Sequence, residues 1–303
     1  NGHSAVELKY GSHRIYNGKP ALEGLPATFA DDDECMTLEL HLVDDIAHIE
    51  VVILETVFEG SDAIARSVKV INNGTAPTKL TKIYSTCIDV DDRDFRFLTL
   101  HGSWARERCK DISDIGYGIS SVGSIRGESS HQEHPFCALV SSDVSQDNGE
   151  AYAFNFVYSG NFTAQVEKSQ FDSIRMTMGI NPRNFTFVLK EKESFQAPEV
   201  VMTYSDNGLG KMSRCYHDLF RDHLIRSKYK DIERPILINN WEATYFDFDT
   251  DKLISIAKEA SKVGIEMFVM DDGWFGHRNN DDSSLGDWKV NEKKLPGGLK
   301  RLA

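Results

Sequence analysis

Residues 235–276 read PILINNWEATYFDFDTDKLISIAKEASKVGIEMFVMDDGWFG, and the organisation of the chain rests on them. Ile236, Leu237 and Ile238 form a short aliphatic run between Pro235 and the pair Asn239-Asn240. That pattern suits a strand buried on both faces of a parallel sheet. Asp249 and Thr250 supply helix N-cap chemistry. Across Lys252–Val263, the apolar Leu253, Ile256, Ala257, Ala260 and Val263 recur on one helical face. Gly264 stands where a helix C-terminal glycine is favoured, and Ile265–Met270 reads as a second strand. Strand, helix and strand in that order make a βαβ unit.

Polar residues come after each strand: Asn239-Asn240-Trp241-Glu242 after the first, Asp271-Asp272-Gly273-Trp274 after the second. In parallel α/β folds, ligands bind at this carboxyl edge. Neighbours in a strand point to opposite faces. Asp271 and Asp272 can therefore reach one ligand only if the backbone leaves strand geometry, which Gly273 makes easy. Two readings are open. An aspartate after a strand can simply cap the next helix. Alternatively, paired carboxylates can grip sugar hydroxyls, with the indole of Trp241 or Trp274 as an apolar platform.

The segments NNWEATYF (239–246) and MDDGWFG (270–276) resemble the first two barrel strands of the family 36 glycoside hydrolases, the bacterial α-galactosidases. Further upstream, Leu100-His101-Gly102-Ser103-Trp104-Ala105-Arg106-Glu107-Arg108 is similar to a stretch of that family's N-terminal β-domain. So is Ser129-Ser130-His131-Gln132 with Pro135-Phe136. The resemblance implies a multidomain protein: a large antiparallel β-sandwich (a supersandwich) followed by the truncated start of a (β/α)8 TIM barrel. It implies retaining hydrolysis of terminal α-galactosides such as melibiose and raffinose, no cofactor, no metal, and a homo-oligomer, tetrameric in the family. Asp271 and Asp272 match the family's pair that hydrogen-bonds galactose O4 and O6, and Trp241 its tryptophan at the same sugar. Trp274 is placed with them as a substrate-binding residue.

The family's two catalytic aspartates lie on later barrel strands, in motifs that do not occur here. Lys-Trp-Asp is absent, and Asp287-Trp288-Lys289 runs in the wrong order. No catalytic residue is therefore assigned. A (β/α)8 barrel needs roughly 250 residues, so residues 235–303 are room for two or three βα units. The chain is expected to be the N-terminal part of a longer enzyme, truncated also before Val6, and inactive alone. Alternatives are α-N-acetylgalactosaminidase or galactosyltransferase activity on the same fold, and a non-catalytic carbohydrate-binding β-sandwich.

The 303 residues include 47 acidic and 34 basic side chains, a formal charge of −13. That field argues against nucleic acid and anionic membrane as partners and is indifferent to a neutral sugar. No apolar run approaches the roughly 20 residues of a membrane span, and residues 1–5 lack signal-peptide shape. Cys35, Cys87, Cys109, Cys137 and Cys215 are scattered and odd in number. They read as reduced thiols of a cytoplasmic protein, which makes the sequons at Asn73, Asn161 and Asn184 chance matches.

From Val6 to Val201 the pattern is strand after strand. Runs at Thr37–Val43, Ile49–Phe58, Ala63–Ile71, Lys79–Asp89 and Phe95–His101 are followed by Phe136–Ser141, Ala151–Tyr158, Phe162–Lys168, Ile174–Met178 and Phe185–Leu189. Short strands between turn residues suggest an antiparallel sandwich, and Asn73-Gly74 is a hairpin signal. Leu209–Arg226, with Leu209, Met212, Tyr216, Leu219, Phe220 and His223 at helical spacing, reads as a helix bridging two domains. The expected division is a β-domain at 1–205, a linking helix at 206–234 and barrel units at 235–303. Trp104–Arg108 has two readings, a salt-bridged interface loop or a loop reaching an active site. His131 and His134 show no third metal ligand.

Overall fold

Alternating apolar and polar residues put most of the N-terminal part of the chain into strands. The structure, a computed structural model, describes residues 6–303; the leader reading of residues 1–5 falls outside them. Two compact units meet in sequence at Ile225 and Arg226.

In the first unit, β1 (Lys9–Asn17), β2 (Cys35–Asp44), β3 (Ile49–Phe58) and β4 (Ala63–Asn72) are followed by the short β5 (Thr78–Leu80). Next come β6 (Tyr84–Asp91), β7 (Arg96–Ser103), β8 (Arg106–Asp114) and β9 (Gly118–Gly123). Then come β10 (Glu133–Val140), β11 (Ala151–Val157), β12 (Phe162–Lys168) and β13 (Ser173–Ile180). The strands end with β14 (Phe187–Leu189), β15 (Ser194–Gln196) and β16 (Glu199–Ser205), and α1 (Gly208–His223) closes the unit. A ten-stranded sheet runs β1-β2-β3-β4-β16-β11-β10-β7-β8, with β15 also on β4; a three-stranded sheet runs β12-β13-β6. Each strand pairing in these sheets is antiparallel.

The period of two sorts the large sheet's side chains. Cys137, Leu139, Phe154 and Phe156 point to one face and pack with Phe162, Val166, Ile174, Met176 and Met178 of the small sheet. Their sequence neighbours Ala138, Val140, Ala151 and Ala153 point to the other, beneath Leu209, Met212, Tyr216 and Leu219 of α1. The Tyr216 hydroxyl, buried with its ring, donates to the Val201 carbonyl at 3.0 Å, so no polar group is stranded there. A buried ion pair ties the chain before β2 to β16. Lys19 Nζ lies 2.6 Å from Glu199 Oε2, with the side chains 4% and 1% exposed. The Thr28 amide and hydroxyl donate to Glu199 Oε1.

Several expectations change. The run Lys79–Asp89 is two strands, because its halves hydrogen-bond elsewhere: β5 to β14 and β6 to β13. Asn73-Gly74 is not a hairpin. Neither residue has positive φ, as a type I′ turn requires, and β4 pairs with β3, β15 and β16. The Asn72 side chain instead donates from Nδ2 to the carbonyls of Ala76, Leu189 and Lys190. The sequence did not single out β1 and β8. Both are sheet edges whose residues are nearly all exposed, so their composition is polar. All five cysteines are free, and no helix among the described residues is long and apolar enough to cross a membrane.

The second unit contains β17 (Leu237–Asn239), the single-turn α2 (Trp241–Thr244), α3 (Thr250–Lys262), β18 (Met267–Val269) and α4 (Gly298–Leu302). β17 and β18 pair in parallel, Leu237 opposite Met267 and Asn239 opposite Val269. The Asp249 side chain caps α3 by accepting from the Lys252 amide at 2.8 Å, and Gly264 comes after it with φ +88. Phe248, Leu253 and Leu295 form the core, with Phe268, Met270 and Trp274 against them. β17 is shifted one residue from the run Ile236–Ile238, and β18 is shorter than Ile265–Met270. They are also not buried on both faces: Leu237 is 50% and Met267 42% exposed.

Candidate functional site

The ends of β17 and β18 are laced together by side chains that the Asn-Asn and Asp-Asp pairs supply. Asn240 is fully buried. Its Nδ2 donates to Thr244 Oγ1 at 2.8 Å and its Oδ1 accepts from the Asp271 amide at 2.8 Å. Asn239 uses Oδ1 to accept from the Trp241 amide, starting α2, and its Nδ2 donates to Asp271 Oδ2 at 2.6 Å. Parallel register brings Asn239 beside the end of β18, so these contacts result from the βαβ connection.

Asp271 and Asp272 are neighbours with different surroundings. Asp271 Oδ1 accepts from the Asp272 amide, and the half-buried carboxylate keeps lone pairs for another donor. Asp272 is engaged by Arg278, whose Nε donates at 2.6 Å and 2.8 Å to its two oxygens. That guanidinium holds the Asp272 carboxyl below the usual carboxylate range. Arg278 Nη1 also donates to the carbonyls of Asp281 and Ser283, which folds the 276–287 loop over the pair. Gly273 makes the turn with φ +91, and a Cβ there would come 2.9 Å from Phe246 and 3.2 Å from Lys294 Nζ. Lys294 lies 4.3 Å over the Phe248 ring, and desolvation pulls its ammonium below the usual lysine range.

Trp241 contacts Tyr245 and Phe246 edge-on, at centroid distances of 5.4 Å and 4.9 Å. Trp274 packs instead against Phe275 and Trp288 and the core of the unit. The structure thus joins Asp271, Asp272 and Asn239 directly and gives the two indoles separate aromatic neighbours. Sequence reasoning missed Asn239, Asn240, Arg278 and Lys294 as individual contributors. The charged run after Trp274 was the one available signal for Arg278.

In the first unit, residues 100–108 form the β7–β8 hairpin, whose tip Trp104 is 86% exposed. The residue 129–132 stretch lies beside it: a Cβ on Gly102 would come 3.0 Å from the His131 carbonyl. Among the described residues, no group of three His, Cys, Asp or Glu is placed to hold a metal.

The family model described as the glycosyl hydrolase family 36 N-terminal domain matches residues 1–190, and the melibiase model matches residues 194–303. The chain belongs to glycoside hydrolase family 36. It is 49% identical to α-galactosidase AgaA of Geobacillus stearothermophilus over 304 residues, 100% of this chain and 42% of that protein. Its similarity to α-galactosidase Mel36A of Lactobacillus acidophilus has the same identity and coverage. The crystal structure of the family 36 AgaA enzyme superposes with a TM-score of 0.96 at 48% identity, covering 99% of this chain and 43% of that one. The chain therefore spans about two fifths of the length of these family 36 relatives. Variants of AgaA have been crystallised with stachyose and with raffinose.

Proposed function

We propose that the chain is the N-terminal part of an α-galactosidase that takes α-galactoside oligosaccharides of the raffinose and stachyose kind. In this reading residues 1–205 are a β-supersandwich, 206–234 carry a linking helix, and 235–303 open a (β/α)8 barrel. The observation that carries it is the pair Asp271-Asp272 at the carboxyl end of β18, held beside Asn239 of the parallel β17. Asp271 is the more available acceptor for a galactose hydroxyl. Asp272 is turned by Arg278 and contributes a fixed charge with one oxygen less committed. Trp241 supplies an apolar face beside the sugar, and Trp274 stands behind it. The whole protein is proposed to be a cytoplasmic homo-oligomer.

A retaining glycosidase needs two carboxylates about 5–5.5 Å apart, one on each side of the scissile bond. Asp271 and Asp272, adjacent in sequence on one side of a sugar, grip it and do not perform that chemistry. The nucleophile and acid/base are assigned to the later part of the whole enzyme. The test is Asp271→Ala in the full-length protein on p-nitrophenyl α-galactoside. One charged hydrogen bond is worth about 1.5–3 kcal/mol, so kcat/KM should fall roughly 10–150-fold at about 1.4 kcal/mol per decade. Near-wild-type turnover in a folded variant would remove Asp271 from the sugar site.

A further inference from the structure

A cavity of about 410 Å³ opens in the first unit, between α1 and the sheet face that α1 covers. Its floor is apolar and includes Leu98, Phe136 and Tyr216, each buried. Its walls carry four basic side chains, Arg108 and Lys110 of β8, His134 of β10 and His217 of α1, and no acidic one. That is contrary to the chain as a whole, where Asp and Glu outnumber Lys and Arg 47 to 34. Elsewhere in this unit Arg14 meets Glu39, Arg96 meets Asp114 and Arg175 meets Asp89. Among the described residues, none of the four cavity bases has such a partner.

The gathered charges act on one another. Burial, then Arg108, His131 and His101, hold the His134 imidazole below its ordinary range. Glu133 answers His101, at 3.3 Å, and not His134. His134 is partly buried while Arg108, Lys110 and His217 are exposed at the cavity's rim, and like charges gathered around one opening favour an anion between them. A guanidinium fork and an ammonium match a phosphate. An aromatic floor suits the apolar face of a ring, and Asn155 and Ser213 offer neutral hydrogen-bonding groups in the same wall. The volume falls near the lower end of small-ligand pockets, roughly 300–1,000 Å³, room for one sugar ring and its phosphate. A neutral sugar would leave the charges unpaired.

We propose that this cavity binds a hexose phosphate, with Arg108 and Lys110 on the phosphate and the ring over Phe136 and Tyr216 beside Asn155. The inference stands on the first unit alone and does not depend on the galactoside reading. A bound anion raises the His134 pKa from its lowered free-state position, so binding takes up protons. Affinity should rise as pH falls through the ordinary histidine range near 6.5 and be lost in part above it. The groups facing His134 are Arg108 of β8, His101 of β7 with its partner Glu133, and His131; His217 of α1 lines the same cavity.

Isothermal titration of the full-length protein with glucose 6-phosphate and with inorganic phosphate tests this. Glucose 6-phosphate should bind at least tenfold more tightly than inorganic phosphate, with an enthalpy at pH 6 that varies with the buffer's ionisation heat. The double change Arg108→Ala, Lys110→Ala should weaken it at least tenfold at unchanged Tm, since both side chains are exposed on an edge strand. Asn155→Leu should weaken glucose 6-phosphate and leave inorganic phosphate unchanged. No binding of glucose 6-phosphate at 10 mM would overturn the proposal. So would equal affinity for the two probes, or binding that the double change leaves within twofold.

Discussion

Asp272→Asn separates the two aspartates more sharply than any other single change. The substitution keeps shape and removes charge. It leaves Arg278, whose side chain is only 6% exposed, facing a neutral amide in place of a carboxylate that is 24% exposed. Breaking a fully buried pair costs about 3–5 kcal/mol, and a charged hydrogen bond is worth about 1.5–3 kcal/mol. The partial exposure of Asp272 puts this pair near the lower figure, about 2–3 kcal/mol. Arg278 also anchors the carbonyls of Asp281 and Ser283, so the loss should appear as local opening of residues 276–287. At about 1.4 kcal/mol per decade, amide hydrogen exchange there should accelerate roughly 30–150-fold, while amides of α3 change little. Asp271→Asn should spare the loop, because Asp271 does not touch Arg278. The lowered Asp272 pKa fixes the sign with pH: its stabilisation is present above the ordinary carboxylate pKa and is lost as pH falls through the lowered value. Loop exchange in Asp272→Asn within threefold of wild type, or an equal effect from Asp271→Asn, would refute the clamp.

Trp241→Ala should raise KM for α-galactosides in the full-length protein more than tenfold. Its two edge-on ring contacts limit the folding cost to about 1–3 kcal/mol, and a collapsed fold with unchanged affinity would make Trp241 a core residue. Glu199→Ala should destabilise the first unit by about 3–5 kcal/mol, because it leaves the buried Lys19 ammonium unpaired; denaturant unfolding giving under 1 kcal/mol would contradict this. His41 is held between carboxylates, Nδ1 2.7 Å from Glu50 and Nε2 2.8 Å from Glu39, and these hydrogen bonds raise its pKa. That stabilisation, about 1–2 kcal/mol, is full below about pH 6.5 and lost as pH rises through the raised value. The Tm gap between wild type and His41→Gln should therefore shrink from pH 6 to pH 9, and a constant gap would count against it.

Local pattern decided much of this protein. β3 and β12 run over the same residues as the β-branched run Ile49–Phe58 and the alternating run Phe162–Lys168; in β12 the period of two puts Phe162, Ala164 and Val166 on one buried face. Asp249 marks the start of α3 because its carboxylate meets a free amide three residues on, a contact within one turn. The Asp271-Asp272-Gly273 turn was legible for the same reason: a strand, two acids and a glycine with positive φ are a local arrangement.

Contacts between distant segments decided the rest. Lys79–Asp89 is continuous in composition, and the different partners of its halves break it. Asn73-Gly74 has hairpin chemistry, yet the bonds from Asn72 to residues more than a hundred positions away set its backbone. The sequence presents Asp271 and Asp272 as equals. Only the returning loop, which carries Arg278 onto one of them, makes Asp272 a held charge and leaves Asp271 the freer acceptor. The basic cavity likewise exists only because β8, β10 and α1 converge, bringing together Arg108, His134 and His217 from separate segments. A side chain's identity sets what it can do; which charge finally faces it depends on long-range packing, to which short-range periodicity is blind.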